Sequence, residues 1–85
     1  RRISMKTILY FSAPWCGPCK TLAPIVNELS SQINVRKINV DNDTELASKF
    51  GIRSVPTLVL VENDHEVGRK VGLQTKQDIL NFYNG

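Results

Sequence analysis

The sequence predicts an α/β domain in which a four-stranded mixed sheet carries helices on both faces. Hydrophobic periodicity and turn residues divide the chain into elements in the order β-α-β-α-β-β-α. The first half is then a βαβ unit, and such units are parallel and right-handed in nearly all folds. The second half is an antiparallel hairpin followed by a helix, so parallel and antiparallel pairs share one sheet.

The two cysteines lie between the end of the first predicted strand and the first turn of the first predicted helix. Residues 7–11, TILYF, are rich in β-forming side chains and apolar on both faces, which is typical of a central strand covered on both sides. The spacing of apolar residues predicts an amphipathic helix over 18–33, with Pro18 in its first turn and Pro24 inside it. The apolar positions of this helix are Leu22, Ile25, Val26, Leu29 and Ile33.

A second strand and a short helix follow. Residues 35–40, VRKINV, alternate between apolar and polar side chains as a strand does. Asn42 or Asp43 can accept the free amides of a helix over 44–50, because Asn and Asp are preferred N-cap residues. Gly51 then ends this helix.

A hairpin and a terminal helix complete the predicted fold. Residues 56–62 have the composition of a buried strand, and Asn63 with Asp64 predicts a turn into a strand over 66–71. The last helix begins at Thr75, where Thr-x-x-Asp is a capping box. Its apolar side chains, which we expect to be buried, are Ile79, Leu80 and Tyr83.

Length and charge indicate one small domain. The chain has 85 residues with 41% apolar content and contains no linker or repeat. We interpret residues 1–4 as a cloning remnant and Met5 as the native start, so that the domain comprises residues 5–85. Without Arg1 and Arg2 the net charge falls from +3 to +1.

The remaining sequence features argue against nucleic-acid and membrane binding. The other Lys and Arg residues are scattered, and no aromatic residues interleave with them. The apolar runs fall far short of the ~20 residues needed to cross a bilayer, and the N-terminus lacks a cleavable apolar stretch. We therefore expect a cytoplasmic chain with neither nucleic acid nor membrane as a partner.

The segment APWCGPCK contains both cysteines, and three interpretations apply to it. A metal site of thiolates usually needs four ligands, but the one histidine, His65, is far away beside the predicted hairpin turn. A structural disulfide over so short a loop contributes only about 2 kcal/mol, and a cytosolic compartment would keep it reduced. The third interpretation is a redox couple, in which the disulfide forms and breaks in each cycle.

The position of the pair at the start of a helix favours the redox couple. Unpaired amides and the helix dipole stabilise a thiolate at Cys16 and lower its pKa below the free value of ~8.5, which makes Cys16 the nucleophile. Cys19, one turn later and facing the core, then attacks the Cys16 sulfur in a mixed disulfide and releases the reduced substrate. Pro18 limits the freedom of the loop between them.

The motifs WCGPCK, GIRSVPTL and KVG together resemble those of thioredoxins, and the similarity runs from about Met5 to the end of the chain. The resemblance implies a general protein-disulfide reductase that is itself re-reduced by a flavoprotein reductase using NADPH. It implies no bound cofactor beyond the redox-active disulfide, a monomer, and substrate proteins such as ribonucleotide reductase.

The resemblance also implies which residues meet the substrate. In the family the proline that matches Pro56 is cis and faces the redox disulfide, and the backbone of the residue that matches Val55 pairs with an extended substrate strand. A shallow apolar surface surrounds the exposed sulfur of Cys16. The residues that match this surface are Trp15, Gly17, Pro18, Gly72 and Leu73.

Two departures from the family pattern qualify this expectation. Thioredoxins begin with an additional strand and helix that this sequence lacks, so the strand over 35–40 becomes an exposed sheet edge at which pairing with a second copy stays open. Thioredoxins also commonly carry a buried aspartate six residues before the nucleophile, where this chain has Tyr10. Lys37 matches the lysine near that carboxylate and has lost its partner. Tyr10 and Lys37 are therefore expected to modulate proton transfer, although a tyrosine is a poor base at neutral pH.

Two other functions stay open on the sequence alone. The short chain is compatible with a glutaredoxin-like enzyme that uses glutathione, but that family more often has Pro-Tyr between its cysteines, where this chain has Gly17 and Pro18. A thioredoxin-like binding subunit of a larger assembly would need the same apolar surface whether or not its thiols react.

Overall fold

The computed structural model describes residues 6–85, over which the predicted order of elements is found. The predicted native start at Met5 and the predicted remnant over 1–4 lie outside the described residues. The strands and helices, in chain order, are β1 (Lys6–Ser12), α1 (Gly17–Leu29), β2 (Val35–Asn39), α2 (Thr44–Lys49), β3 (Thr57–Glu62), β4 (His65–Val71) and α3 (Lys76–Asn84).

The four strands form one mixed sheet in the order β2-β1-β3-β4. β1 pairs in parallel with β2, with Tyr10 opposite Lys37, and antiparallel with β3 on its other side. The hairpin β3–β4 is antiparallel and has an irregularity between Leu60 and Val61. The predicted mixed sheet is therefore confirmed, and in the described part of the chain β2 lies at its edge.

Each face of the sheet has its own apolar core because the side chains of β1 alternate between the two faces. Ile8 and Tyr10 point to the side covered by α1 and α3, whereas Leu9 and Phe11 point to the side covered by α2. The helices contribute Leu22, Val26, Leu29 and Ile79 to the first core and Ala47 to the second. Helices therefore lie on both faces, as the sequence predicts.

The end of α1 differs from the sequence prediction by four residues, whereas the other predicted boundaries differ by at most one. α1 ends at Leu29 rather than at residue 33, although Ile33 is buried and its N–H donates to the Leu29 carbonyl at 3.0 Å. Ile33 continues the apolar pattern from a turn after the helix. Asp43, and not Asn42, caps α2, because its side chain accepts a hydrogen bond from the Leu46 N–H at 3.2 Å.

Three predicted turn and cap features are present. The side chains of Thr75 and Asp78 form the reciprocal capping box at the start of α3. Asn63 and Asp64 both have positive φ, at 55° and 71°, as the hairpin turn between β3 and β4 requires. Gly51 follows α2 with φ 63°.

No helix within residues 6–85 is long and apolar enough to span a membrane.

Candidate active site

The two cysteines lie where the chain leaves β1 and enters α1. Cys16 is the N-cap of α1 with extended backbone angles, and Cys19 lies in the first helical turn. Their Cα atoms are 5.3 Å apart and their sulfurs form a disulfide. The Cys16 Sγ also accepts a hydrogen bond from the Cys19 N–H at 3.1 Å, so the sulfur takes the place of the oxygen that usually caps a helix.

The start of α1 is electrostatically suited to a thiolate at Cys16. The first turn of the helix contains no acidic residue, so no carboxylate offsets the positive end of the helix dipole. When the disulfide is reduced, the same N–H that now points at the Cys16 sulfur can stabilise its negative charge. Both effects favour the thiolate over the thiol.

Both cysteines are buried, which contradicts the expectation of an exposed sulfur at Cys16. Cys16 is 4% exposed and Cys19 3% exposed, so burial does not distinguish them. The physical reason is that Cys16, Cys19 and Ala13 form a small apolar cluster against which Val40 and Val55 pack. Only a small part of Cys16 is therefore accessible to a substrate sulfur.

A small groove borders the cysteine cluster on the side of Trp15. It has a volume of about 140 Å³ and is lined by Trp15, Val40, Ile52, Arg53, Ser54 and Val55. Trp15 is 69% exposed, as expected for a surface role, and its indole Nε1 donates to Asp41 Oδ2 at 3.0 Å. Two of its lining residues, Val40 and Val55, also pack on the cysteine cluster, so the groove lies beside the dithiol.

Of the other sequence-predicted contact residues, Val55 lines this groove. The Val55–Pro56 peptide bond is cis, and Pro56 is buried while Val55 is half-buried. Gly72 has φ 91° and donates its N–H to the Pro56 carbonyl at 2.9 Å, which ties the end of β4 to the proline. Leu73, next to it, is 56% exposed. Gly17 and Pro18 are exposed at the start of α1.

Tyr10 and Lys37 border a second, larger opening that reaches Cys19. This cleft has a volume of about 370 Å³, and its lining residues are Tyr10, Ser12, Ala13, Pro14, Cys19, Lys20, Ala23, Asn27, Lys37 and Asn39. Tyr10 is buried and its hydroxyl donates to the Cys19 carbonyl at 3.0 Å. Burial raises the pKa of Tyr10 above its ordinary value, and a hydrogen bond with Ser12 offsets this in part.

Lys37 has a partner that the sequence analysis did not identify. Its Nζ donates to Asn27 Oδ1, so β2 and α1 are joined across the mouth of the cleft. Lys37 itself is exposed. The side-chain amide of Asn27 is therefore the hydrogen-bond partner of Lys37.

The described residues contain no candidate metal centre. No group of three or more His, Cys, Asp or Glu side chains comes together within residues 6–85. His65 is exposed at the first position of β4, beside the hairpin turn, as expected for a turn residue in solvent.

Sequence reasoning missed several polar residues at the two openings, namely Ser12, Asn27, Asp41 and Arg53. A signal for Asp41 was present, because it follows β2 while Trp15 follows β1. The carboxyl ends of adjacent parallel strands meet at one edge of a sheet, and polar residues there are candidates for contact. Asn27 and Ser12 had no comparable signal, since one lies on a helix and the other ends a strand.

Comparison with known proteins gives one consistent family. The Thioredoxin family model matches residues 2–84. The chain is 42% identical over 81 residues to a thioredoxin of Haemophilus influenzae, covering 91% of this chain and 76% of that protein. It is 39% identical over 84 residues to a thioredoxin of Rickettsia felis, covering 94% and 80% of the two chains.

Solved structures lead to the same conclusion. The fold superposes on a mutant thioredoxin from Halobacterium salinarum with a TM-score of 0.88 at 41% identity, covering 93% of this chain and 72% of that one. A thioredoxin from Fasciola hepatica superposes with a TM-score of 0.86 at 29% identity, covering 93% and 78%.

A disulfide-forming pair at the start of a helix, on this sheet and with these relatives, defines a dithiol–disulfide oxidoreductase. The redox-active group is the Cys16–Cys19 disulfide. The chain belongs to the thioredoxin family.

Proposed function

We propose that this protein reduces disulfides in other proteins, with Cys16 as the nucleophile and Cys19 as the resolving thiol. The observation that carries the proposal is the hydrogen bond from the Cys19 N–H to the Cys16 sulfur at the start of α1. Only Cys16 has this helix-terminal position, because Cys19 lies inside the first turn. The better-stabilised thiolate is at Cys16.

The reaction proceeds in two exchanges. The Cys16 thiolate attacks one sulfur of the substrate disulfide, forms a Cys16–substrate bond and expels the other substrate sulfur as a thiolate. The Cys19 thiolate then attacks the Cys16 sulfur, forms the Cys16–Cys19 disulfide and expels the second substrate thiolate. The substrate gains two electrons and two protons, and the enzyme dithiol loses the same.

We assign substrate contact to the surface around the groove. Trp15 and Leu73 present exposed apolar side chains. Val55 lines the groove with Trp15 and packs against the cysteine cluster, and the Pro56 carbonyl accepts a hydrogen bond from Gly72, the neighbour of Leu73. An extended segment of a substrate protein suits this surface, with its backbone beside Val55. Gly17 and Gly72, which have no side chain, and the compact Pro18 leave room for that segment at exposed or half-buried positions.

Membership of the thioredoxin family supports a proposal for the electron donor and for the cellular compartment. We propose that a flavoprotein thioredoxin reductase, using NADPH, re-reduces the disulfide, and that the protein works as a monomer in the cytoplasm on substrates such as ribonucleotide reductase. A reducing compartment suits this role because it keeps the dithiol poised to donate electrons.

An insulin-reduction assay coupled to NADPH and thioredoxin reductase tests this function. Wild-type protein should turn over, whereas Cys16→Ser should have no activity. Cys19→Ser should accumulate a mixed disulfide with insulin, because the first exchange proceeds and the second does not. Turnover with glutathione but not with the reductase would contradict the proposal and assign the protein to glutathione-dependent chemistry.

A further inference from the structure

The dithiol borders two different openings in the surface. The groove beside Trp15 borders the cysteine cluster on the side where we place the substrate. The cleft lined by Tyr10, Cys19 and Lys37 reaches Cys19 and shares no lining residue with that groove. This cleft, at about 370 Å³, is the larger of the two openings.

Cys19 needs a proton acceptor, and the residues that line this cleft do not provide one. Cys19 must lose a proton before it can resolve the mixed disulfide, because the thiolate is the attacking species. Among the described residues that line the cleft, none is an aspartate, glutamate or histidine. The hydroxyl of Tyr10 donates its proton to the Cys19 carbonyl, so it is not arranged to accept one from the thiol. Burial also raises the pKa of Tyr10, which keeps the phenol neutral.

The cleft holds positive charge and has room for solvent. The titratable groups that line it besides Cys19 are Tyr10 on β1, Lys20 on α1 and Lys37 on β2. Both lysines are exposed, and Lys37 is held across the mouth by its hydrogen bond to Asn27. Since a water molecule occupies about 30 Å³ of liquid, the cleft admits several waters or one small anion.

We propose that the Cys19 proton leaves through this cleft to a dissolved anionic base such as phosphate, and that Lys37 positions the anion and stabilises the thiolate. The inference rests on the proposed function, since it describes the second exchange of that reaction. The external base takes the proton from the Cys19 sulfur. The remaining electron pair forms the bond to Cys16 while the Cys16–substrate bond breaks.

The dependence of the resolution rate on the dissolved base and on salt distinguishes proton transfer to an external base from transfer to an internal one. A fixed carboxylate would make resolution independent of the buffer, whereas an open cleft makes the rate depend on which base is dissolved outside. The positive charge of Lys37 should attract an anionic base more strongly than a neutral one of equal basicity. The attraction should weaken with salt, because the site is near the surface.

Stopped-flow reduction of dithiobis(nitrobenzoic acid) measures both exchanges without a protein substrate. The first release of coloured thiolate reports attack by Cys16, and the second reports resolution by Cys19. We compare phosphate and imidazole, whose conjugate acids have similar pKa values, at constant pH and ionic strength. The second rate should rise with phosphate concentration and less with imidazole, and the first rate should respond to neither.

Lys37→Gln is the decisive variant, and Arg36→Gln is its matched control. Arg36 is the neighbouring residue on β2 but lines a different pocket, with Leu9 and Lys49. Lys37→Gln should reduce the phosphate effect on the second rate about fivefold, as expected for losing one near-surface charge. Arg36→Gln should leave it unchanged. Both residues are exposed, so neither substitution disturbs the core.

Two results would overturn the inference. One is a second rate that does not depend on buffer concentration in the wild type, since an internal group or water would then accept the proton. The other is an equal loss of the phosphate effect in Lys37→Gln and Arg36→Gln, which would assign it to overall charge. Failure of the proposed function looks different, because Cys16→Ser would then retain the first release.

Discussion

The hydroxyl of Tyr10 donates a hydrogen bond to the backbone carbonyl of Cys19 at 3.0 Å, across the interface between β1 and α1. Tyr10 is only 3% exposed and belongs to the apolar core on the side of α1 and α3. One side chain therefore fills the core and holds the helical turn that contains the resolving cysteine. A substitution of Tyr10 should therefore affect both the stability of the domain and the position of Cys19.

Tyr10→Phe should destabilise the fold by about 1 kcal/mol, the usual net contribution of one buried hydrogen bond. The loss stays small because the Cys19 carbonyl keeps its intrahelical partner, the Ala23 N–H. Thermal unfolding should show a fall in Tm of roughly 4–8 °C. Tyr83→Phe is the control, since its half-buried hydroxyl donates to the Lys6 carbonyl at a longer 3.4 Å and should cost less. Equal losses in the two variants would contradict this assignment.

The contribution of Tyr10 should also depend on pH at alkaline values. Burial raises the pKa of Tyr10 above its ordinary 10.0, so the unfolded chain loses the phenolic proton first as pH rises. The stability due to the neutral phenol is therefore complete below pH 10 and declines above it. Urea unfolding at several pH values should show the difference between wild type and Tyr10→Phe narrowing above pH 10. A constant difference would exclude a raised pKa.

Tyr10→Asp should exchange stability for faster proton transfer. The variant puts a carboxylate in the buried position at the inner end of the cleft, where it can accept the Cys19 proton. General base catalysis typically supplies about 10² to 10⁴-fold, so resolution in dilute buffer should speed up by at least about tenfold. The Tm should fall, because the variant buries a charge in place of a phenol. A lower Tm with unchanged resolution kinetics would refute the kinetic half.

The bond between Trp15 and Asp41 should matter for substrate binding more than for thiol reactivity. Asp41→Ala removes the hydrogen bond that holds the exposed indole of Trp15. Substrate binding must then fix the indole, so KM for a protein disulfide should rise about two- to fivefold, as expected for a hydrogen bond worth ~0.5–1 kcal/mol. Trp15 is the only tryptophan, so its fluorescence reports the change directly. Asp41→Asn retains an acceptor oxygen and is the control for charge alone. Attack of Cys16 on a small aromatic disulfide should keep its rate in both variants.

Most of the fold could be predicted from the sequence because its strands, turns and caps depend on residues that are close together in the chain. The apolar faces of β1, the capping box at Thr75 and the turn at Asn63 and Asp64 each depend on a few consecutive positions. The end of α1 was predicted wrongly for the same reason. Ile33 fits the helical period, but a buried residue in a turn has the same apolar character as one on a helix.

Only those residues of the candidate site that belong to sequence motifs could be predicted. The cysteines and Pro56 belong to motifs, whereas the bonds from Tyr10 to Cys19 and from Trp15 to Asp41 join residues that are distant in sequence. Such pairs depend on strand register and on the packing angle of α1, which no local pattern determines. The burial of Cys16 is a similar case, because it results from valines on two other segments.

Gly72→Ala and Gly17→Ala should have opposite effects on stability, although a methyl group at either position meets no atom within 4 Å. Gly72 has φ 91°, a left-handed conformation that costs an L-residue about 1–2 kcal/mol, and its N–H is held by the Pro56 carbonyl. Gly17 lies at the start of α1, where alanine favours helix by up to ~1 kcal/mol. Thermal unfolding should therefore show a lower Tm for Gly72→Ala and an unchanged or higher Tm for Gly17→Ala. A loss of stability in both variants would contradict the assignment of the difference to backbone conformation.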